Sequence, residues 1–388
     1  MQVAMSFTAR SALLMEQQTG KVLFSQNETQ RVAPASLTKL MDLLLIFQQL
    51  QSGKLTMEQE LTCSAYAKTM GGSEIWLKEG ERMTVEELLK ALVVASANDA
   101  AMVFAEAIAA SEEEFVRLMN EKAQQLGLQN THFVNCTGFD EEGHYTCAQD
   151  VAVLARELMT GYGEQLTRFS TIWMDSLRGG ETQLVNTNRL IRFYDGATGL
   201  KTGTTDAAGH CLCATATRDG LSLISVIMGC KSSDARFEES RQLLDYGFAG
   251  FTLYQPQLPQ DRLHPVAVKQ GMQTQVEPQV EALPQAVVRK NEVDGIEIKL
   301  ELSEQLQAPV AKGAGNRLDS ACAERQHHRP TAGDRRAGGA EADLCKKPVA
   351  VGKRTYRDER SVCTGAGGVK KERLMETLFA NFMRKAIC

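Results

Sequence analysis

Short apolar blocks flank a polar turn at the start of the chain. SALLM and KVLFS stand on either side of EQQTG, a pattern that predicts a hairpin over residues 11–25. A polar stretch, 26–33, then leads to Pro34 and the apolar run 40–50. That run predicts a helix entered just after the proline, with Ser36 suited to its N-terminal position. Residues 62–77, with Met70-Gly71-Gly72-Ser73-Glu74 inside them, predict a loop wrapped near a site. Thr84-Val85-Glu86-Glu87 has the form of a capping box and opens a helix carrying Val85, Leu88, Leu89, Leu92 and Val93. Small polar residues at 95–99 interrupt it. Further helices are predicted over 100–110, 115–126 (closed by Gly127) and 149–158.

The second half reads as mostly strand. Residues 181–191 predict a strand, 195–199 a loop, and Lys201 the start of another strand. Residues 209–217 pair with 221–229 across Arg218-Asp219-Gly220, a strong turn signal. A helix follows over 235–248, with Arg236 at its head. Pro256, Pro259 and Pro265 mark a linker, after which period-two alternation to about 311 predicts a small all-β unit. Residues 313–370 contain no Ile, Phe, Met or Trp and cannot bury a core. Their abrupt change of character reads as a shifted frame. Helical periodicity returns over 371–388 through Leu374, Leu378, Phe379, Phe382 and Met383, with basic flanks. The expected organisation is a main domain over 1–254, a β-rich domain over 255–312, a Gly/Ala/Arg-rich tail over 313–370 and an amphipathic helix over 371–388.

Composition narrows the function classes. The chain has 388 residues, 43% hydrophobic and 23% charged, with a net charge of −5. That balance suits a globular protein and gives no reason to expect nucleic acid as a partner. Of the ten cysteines, Cys63, Cys136, Cys147, Cys211, Cys213 and Cys230 fall in patterned sequence. None forms a metal-spaced pair, and they read as scattered buried thiols. No apolar span is long enough for a transmembrane helix, and no signal peptide is visible at the N-terminus.

Chemistry enters with three short motifs. Ser36-x-x-Lys39 places a hydroxyl and an amine on one helical face, as a base-activated nucleophile requires. Alone it is equally a helix cap followed by a solvated lysine. Ser96-x-Asn98 is by itself a loop and cap between helices. Lys201-Thr202-Gly203 at a strand edge presents a cation, a hydroxyl and a backbone open to close approach, or merely a strand start with a surface lysine. In this order and at these separations the three make a strong combined signal.

At this point the sequence resembles the penicillin-recognising serine D,D-peptidases, specifically the low-molecular-mass D-alanyl-D-alanine carboxypeptidases found in spore-forming Gram-positive bacteria. The resemblance covers about residues 11–311. It includes MEQQTGKVLF, MGGSEIWL, LLKALVVASANDAA, NTHFVNCTGFDEEGHYT, LVNTNRLIRFYDGATGLKTG and MGCKSSDARFEESRQLLDYGF. It implies an α/β (α+β) penicillin-binding, β-lactamase-like domain, with an antiparallel sheet flanked by helices and a small β-domain behind it. It also implies an acyl-enzyme at Ser36, with Lys39 as base if burial and nearby Lys201 lower its pKa. Ser96 would relay a proton to the leaving D-alanine, and Asn98 would hold the substrate amide. Lys201, Thr202 and Thr204, with Arg236, would meet the terminal carboxylate. The N–H groups of Ser36 and Thr204 would form the oxyanion hole.

The implied partners are a peptidoglycan stem peptide ending in D-Ala-D-Ala and β-lactams as covalent inhibitors. No cofactor or metal is implied. The expected location is extracytoplasmic, with peripheral membrane attachment through 371–388. Whether the role is vegetative or sporulation-linked stays open. Two positions depart from the pattern: many relatives carry proline at Cys136 and threonine at Asp42, and Asp42 lies one turn beyond Lys39, where it biases that amine toward its charged form. Two other readings share parts of the signal. A class A-like β-lactamase needs a glutamate to activate water, for which Glu164 is the nearest candidate. A catalytically silent cell-wall protein needs no intact site at all.

Overall fold

The chain's first strands set the frame for everything that carries chemistry. The computed structural model describes residues 7–257, 263–278, 284–296 and 305–307. Strands β1 (Ser11–Glu16) and β2 (Val22–Gln26) form the expected hairpin, with Leu14 opposite Phe24. Helix α1 (Lys39–Gln51) follows, then the short pair β3 (Glu60–Thr62) and β4 (Arg82–Thr84). Helices α2 (Val85–Lys90), α3 (Asn98–Ala109), α4 (Glu112–Gln125) and α5 (Ala148–Ser170) come next. A hairpin, β5 (Met174–Leu177) with β6 (Thr182–Val185), and the one-turn α6 (Leu190–Phe193) lead to β7 (Ala197–Thr205), β8 (Gly209–Arg218), β9 (Leu221–Cys230) and α7 (Ser233–Gly250).

Five strands make one antiparallel sheet in the order β2-β1-β9-β8-β7. Its central strands are apolar on both faces, because helices cover both. Alternate side chains take opposite faces. Leu13, Met15, Cys213, Ile224 and Val226 join the core formed with α1, α3 and α5. Ala12, Leu14, Leu212, Ala214 and Leu223 pack instead on Phe237, Leu243, Leu244 and Phe248 of α7. This is the antiparallel sheet between helices that the resemblance implies. The β8–β9 loop has positive φ at both Asp219 (+49°) and Gly220 (+78°), the two-residue geometry that matches strand twist.

The capping box forms as its sequence predicts. Thr84 Oγ1 accepts the Glu87 N–H at 3.2 Å, and Glu87 accepts the Thr84 N–H at 3.0 Å. Thr84→Ala is expected to lower stability by about 1 kcal/mol in urea unfolding. The acylation at Ser36 that the resemblance implies should be left unchanged, since α2 only leads toward that residue.

Three elements differ from expectation. The strand expected over 181–191 stops at Val185, because Asn186 and Asn188 side chains take the N–H groups of Asn188 (2.9 Å) and Leu190 (3.1 Å). Such local bonds compete with a ladder and turn the chain. The loop expected over 195–199 is partly strand: Ala197 pairs with Ala216, a long-range contact invisible to local pattern. The helix expected over 149–158 continues to Ser170 as α5, carried through Gly161 and Gly163 by Leu158, Met159, Leu166 and Phe169, which bury one face.

Beyond α7, strand β10 (Phe251–Tyr254) is followed by β11 (Val266–Lys269), β12 (Gln275–Val276), β13 (Ala286–Arg289) and β14 (Gln305–Gln307). β10 pairs with β13 across the expected 254/255 boundary, and β11 lies between β12 and β14. Lys290 Nζ donates to the Phe248 carbonyl at 2.7 Å, and Lys21 Nζ to that of Val287 at 2.8 Å. The tail 313–370 and the segment 371–388 lie outside the described residues. Cys63, Cys136, Cys147, Cys211, Cys213 and Cys230 are buried free thiols. Among the described residues no helix is long and apolar enough to cross a membrane.

Candidate active site

Ser36 does not sit in the first turn of an α-helix. Residues Ala35–Thr38 form a 3-10 turn, and α1 starts at Lys39. With three residues per turn, positions i and i+3 eclipse. Lys39 therefore returns directly beneath Ser36, and its Nζ lies 2.9 Å from Ser36 Oγ. Ser36 is half-buried and Lys39 fully buried. The turn is strained at Ala35, whose φ of +49° is unfavourable for a residue with a Cβ.

A relay of side chains holds that strained turn. Thr38 Oγ1 donates to the Ala35 carbonyl at 2.8 Å, and His144 Nε2 lies 2.8 Å from the same hydroxyl. His144 Nδ1 accepts the Val134 N–H at 2.9 Å, so the ring proton must sit on Nε2 and point at Thr38. Burial pushes His144 down to about 4, which keeps the ring neutral near pH 7. Gly138 presses on the turn from the other side, where a Cβ would stand 2.0 Å from the Ala35 oxygen.

Two acceptors fix the lysine. Nζ lies 2.6 Å from Asn98 Oδ1 and 2.6 Å from the Thr137 carbonyl. Asn98 is oriented by its Nδ2, which donates to Gly71 O at 2.8 Å, and its N–H donates to Ser73 O at 2.6 Å. Asp99 ties down the same loop by accepting the N–H groups of Ile75 and Leu77. The chain reaches Asn98 through a π turn, Ala91–Ala95, that ends on Ser96 in the left-handed region at φ +64°. Ser96 Oγ is buried, with no hydrogen-bond partner. Burial pushes Lys39 down to about 8, while Asp42, Cys136 and Asp99 oppose that fall.

Strand β7 closes the other wall. A Cβ on Gly203 would stand 3.1 Å from Pro34 O and 3.2 Å from Ser36 N. The sequence reading opens Gly203 to an approaching ligand; the structure fills that space with the nucleophile's own turn. Lys201 is buried, and burial, Lys39 and Arg236 together push it well below its ordinary value. Two ammonium groups enclosed together repel, so the permanent charge on this wall belongs to Arg236. Its Nη1 donates to Gly203 O at 3.0 Å and Thr204 Oγ1 at 2.9 Å. Thr202 Oγ1 donates to Thr187 Oγ1 at 2.8 Å, and Thr204 is exposed.

Hydrogen bonds thus join Ser36, Lys39 and Asn98, and Gly203, Thr204 and Arg236 meet on the facing wall. No hydrogen bond links Ser96 or Lys201 to Ser36. Asn98, read as a holder of substrate, also holds the lysine. The sequence reading assigned no role to Thr38, Thr137, Gly138 or His144; the stretch NTHFVNCTGFDEEGHYT entered it only as part of the family resemblance. Glu164, the candidate water-activating glutamate of a β-lactamase, is exposed on α5.

A family model of the S11 peptidases, D-alanyl-D-alanine carboxypeptidases, matches residues 1–232. The chain is 41% identical over 309 residues to D-alanyl-D-alanine carboxypeptidase DacF of Bacillus subtilis (strain 168), covering 79% of each. Penicillin binding protein 5 from Haemophilus influenzae superposes with a TM-score of 0.71 at 30% identity, over 80% of this chain and 91% of that one. Penicillin-Binding Protein D2 from Listeria monocytogenes, in its ampicillin-bound form, gives 0.56 at 28% identity, over 64% of this chain and all (100%) of its own. With a serine, a buried lysine and a facing strand backed by Arg236 already assembled in one site, these matches identify the chain as a member of the S11 peptidases, the penicillin-binding serine D-alanyl-D-alanine carboxypeptidases.

Proposed function

We propose that Ser36 attacks the last peptide bond of a peptidoglycan stem peptide ending in D-Ala-D-Ala, with Lys39 as its base. The observation that carries this is the set of partners around Lys39 Nζ. Asn98 Oδ1 and the Thr137 carbonyl can only accept here, so each takes an N–H from the amine. A neutral amine has two N–H groups and one lone pair. Both N–H groups are spoken for, and the lone pair is left facing Ser36 Oγ at 2.9 Å. Lowering Lys39 to about 8 makes that neutral form accessible near physiological pH.

In this reading the Ser36 proton passes to Nζ as Oγ bonds to the carbonyl carbon. The N–H groups of Ser36 and Thr204 receive the oxyanion. Collapse breaks the C–N bond, and the proton returns through Ser96 Oγ to the departing D-alanine amine. Water then hydrolyses the ester. The substrate's terminal carboxylate sits toward Lys201, Thr202, Thr204 and Arg236. Its arrival favours the ammonium at Lys201 and, by repulsion, the amine at Lys39. β-Lactams would mimic the dipeptide and stall as the ester. A wall-peptide substrate supports reading the protein as extracytoplasmic, with peripheral membrane attachment through the amphipathic sequence pattern of 371–388.

The test is exposure to a labelled penicillin with mass mapping, alongside D-alanine release from a diacyl-Lys-D-Ala-D-Ala peptide. A long-lived adduct on the peptide containing Ser36, together with D-alanine release, is expected. Rapid turnover of the drug would assign a β-lactamase instead. An adduct without D-alanine release would leave a silent penicillin-binding protein.

A further inference from the structure

Of the enclosed acids that the mechanism leaves unused, Asp42 alone among the described residues has no hydrogen-bond partner. Asp42 follows Lys39 by three residues on α1 and so shares its helix face. It is fully buried, and neither carboxylate oxygen accepts a hydrogen bond. A buried carboxylate without partners is costly when ionised. The other acids nearby are satisfied. Asp99 accepts backbone N–H groups from Ile75, Leu77 and Ala100, and Glu112 accepts the Cys136 N–H at 3.2 Å and the Tyr66 hydroxyl at 3.0 Å.

The charged and titratable groups around this pair come from several elements. Asp42 feels Lys39 from its own helix, Glu112 from α4 and Lys201 from β7. Lys39 feels Asp42, Cys136 from the loop beside Thr137, and Asp99 from α3; Lys201 in turn feels Lys39. Asp42 and Cys136, the two departures noted in the sequence, therefore fall in one buried shell around the same amine.

We propose that Asp42 is a positioning residue that sets the working pH of this site: its carboxylate retains the proton on Lys39 Nζ, and Lys39 can take the Ser36 proton only once that hold is broken. The inference rests on the reading of Lys39 as base. One proton serves two arrangements of the pair. In one, Nζ is ammonium and Asp42 carboxylate; in the other the proton has moved to Oδ, leaving an amine and a carboxylic acid. Only the second presents a lone pair to Ser36. Burial pushes Asp42 well above the usual carboxylate range and so favours the acid, while Lys39 opposes it. An uncharged side chain at 42 removes the doubly charged arrangement altogether, leaving burial to lower the amine against Cys136 and Asp99 only.

The experiment measures the rate of Ser36 acylation by a labelled penicillin from about pH 5 to pH 10 for the wild type, Asp42→Asn, Asp42→Thr and Lys39→Met. In both Asp42 variants the acidic limb should move down by about one pH unit, making acylation near its foot roughly tenfold faster than in the wild type. Either variant suffices if the other does not fold. A limb that superimposes on the wild type, or moves to higher pH, overturns the proposal. A raised melting temperature with an unmoved limb does the same, since it assigns Asp42 packing strain and nothing more. A Lys39→Met protein acylated as fast as the wild type removes the base reading itself, whatever the Asp42 variants do.

Discussion

Ser36→Ala is expected to form no penicillin adduct and to release no D-alanine, and Lys39→Met to slow acylation by roughly a thousandfold or more. The double variant is no slower than Ser36→Ala alone, because the two groups act as one unit and their effects do not add. Methionine suits the test, since it fills the lysine stem's volume while removing the nitrogen. Two acceptors, Asn98 Oδ1 and Thr137 O, then lose their donor. Stability provides a second readout with a defined sign. Folding lowers Lys39 from 10.5 to about 8, so between those values the unfolded chain holds a proton that the folded chain does not. The contribution of Lys39 to stability therefore rises with pH through that range, by about 3 kcal/mol in all, and is lost again as pH falls to about 8. Below that pH Lys39 is protonated in both states and adds no slope. Urea unfolding at about pH 8 and 10 should show stability changing more favourably with pH in the wild type than in Lys39→Met, since Lys201 and the buried thiols titrate alike in both. A Lys39→Met protein with both the wild-type slope and the activity would end the assignment.

Much of this was readable in the chain because it is local. The Ser36–Lys39 spacing, the capping box at Thr84 and the Asp219-Gly220 turn each depend on a few consecutive residues, and each appears as its pattern predicts. The sheet's two-sided burial follows likewise from the apolar runs in β8 and β9. What was not readable is whatever depends on chain returning from a distance. Thr137 supplies the carbonyl for Lys39 from 98 positions away, and His144 reaches Thr38 across 106. No local periodicity encodes a carbonyl direction or a ring tautomer. Lys201 shows the same limit in its charge. A lysine at a strand edge reads as a cation, but beside a second buried amine it gives up its proton readily. Gly203 was singled out for its bare backbone, but no local pattern could name the turn carrying Ser36 as the neighbour that a Cβ there would meet.

Gly138→Ala should damage this enzyme more than any other glycine-to-alanine change in the loops around the site, though Gly138 touches no reacting atom. Its φ is +89°, and a Cβ there would lie 2.0 Å from the Ala35 oxygen, 2.4 Å from the Ala35 carbonyl carbon and 2.9 Å from Ser36 N. All three are backbone atoms of the nucleophile's turn, so no side chain can swing aside. Gly127 is the control, with φ +72° and nothing within 4 Å of its added Cβ. Gly127→Ala carries only the conformational penalty, about 1 kcal/mol. Gly138→Ala adds overpacking against a turn already strained at Ala35, for a total of about 3–4 kcal/mol. The loss of rate follows from the direction of the push. Relief requires Ala35 and the Ser36 N–H to move away from Gly138, which displaces a proposed oxyanion donor and shifts Oγ relative to Nζ. A displacement of about 1 Å at such a centre slows acylation by roughly a hundredfold. Urea unfolding and penicillin acylation of the two variants side by side measure both effects. Equal behaviour of Gly138→Ala and Gly127→Ala would show that the turn carrying Ser36 is not braced by this contact.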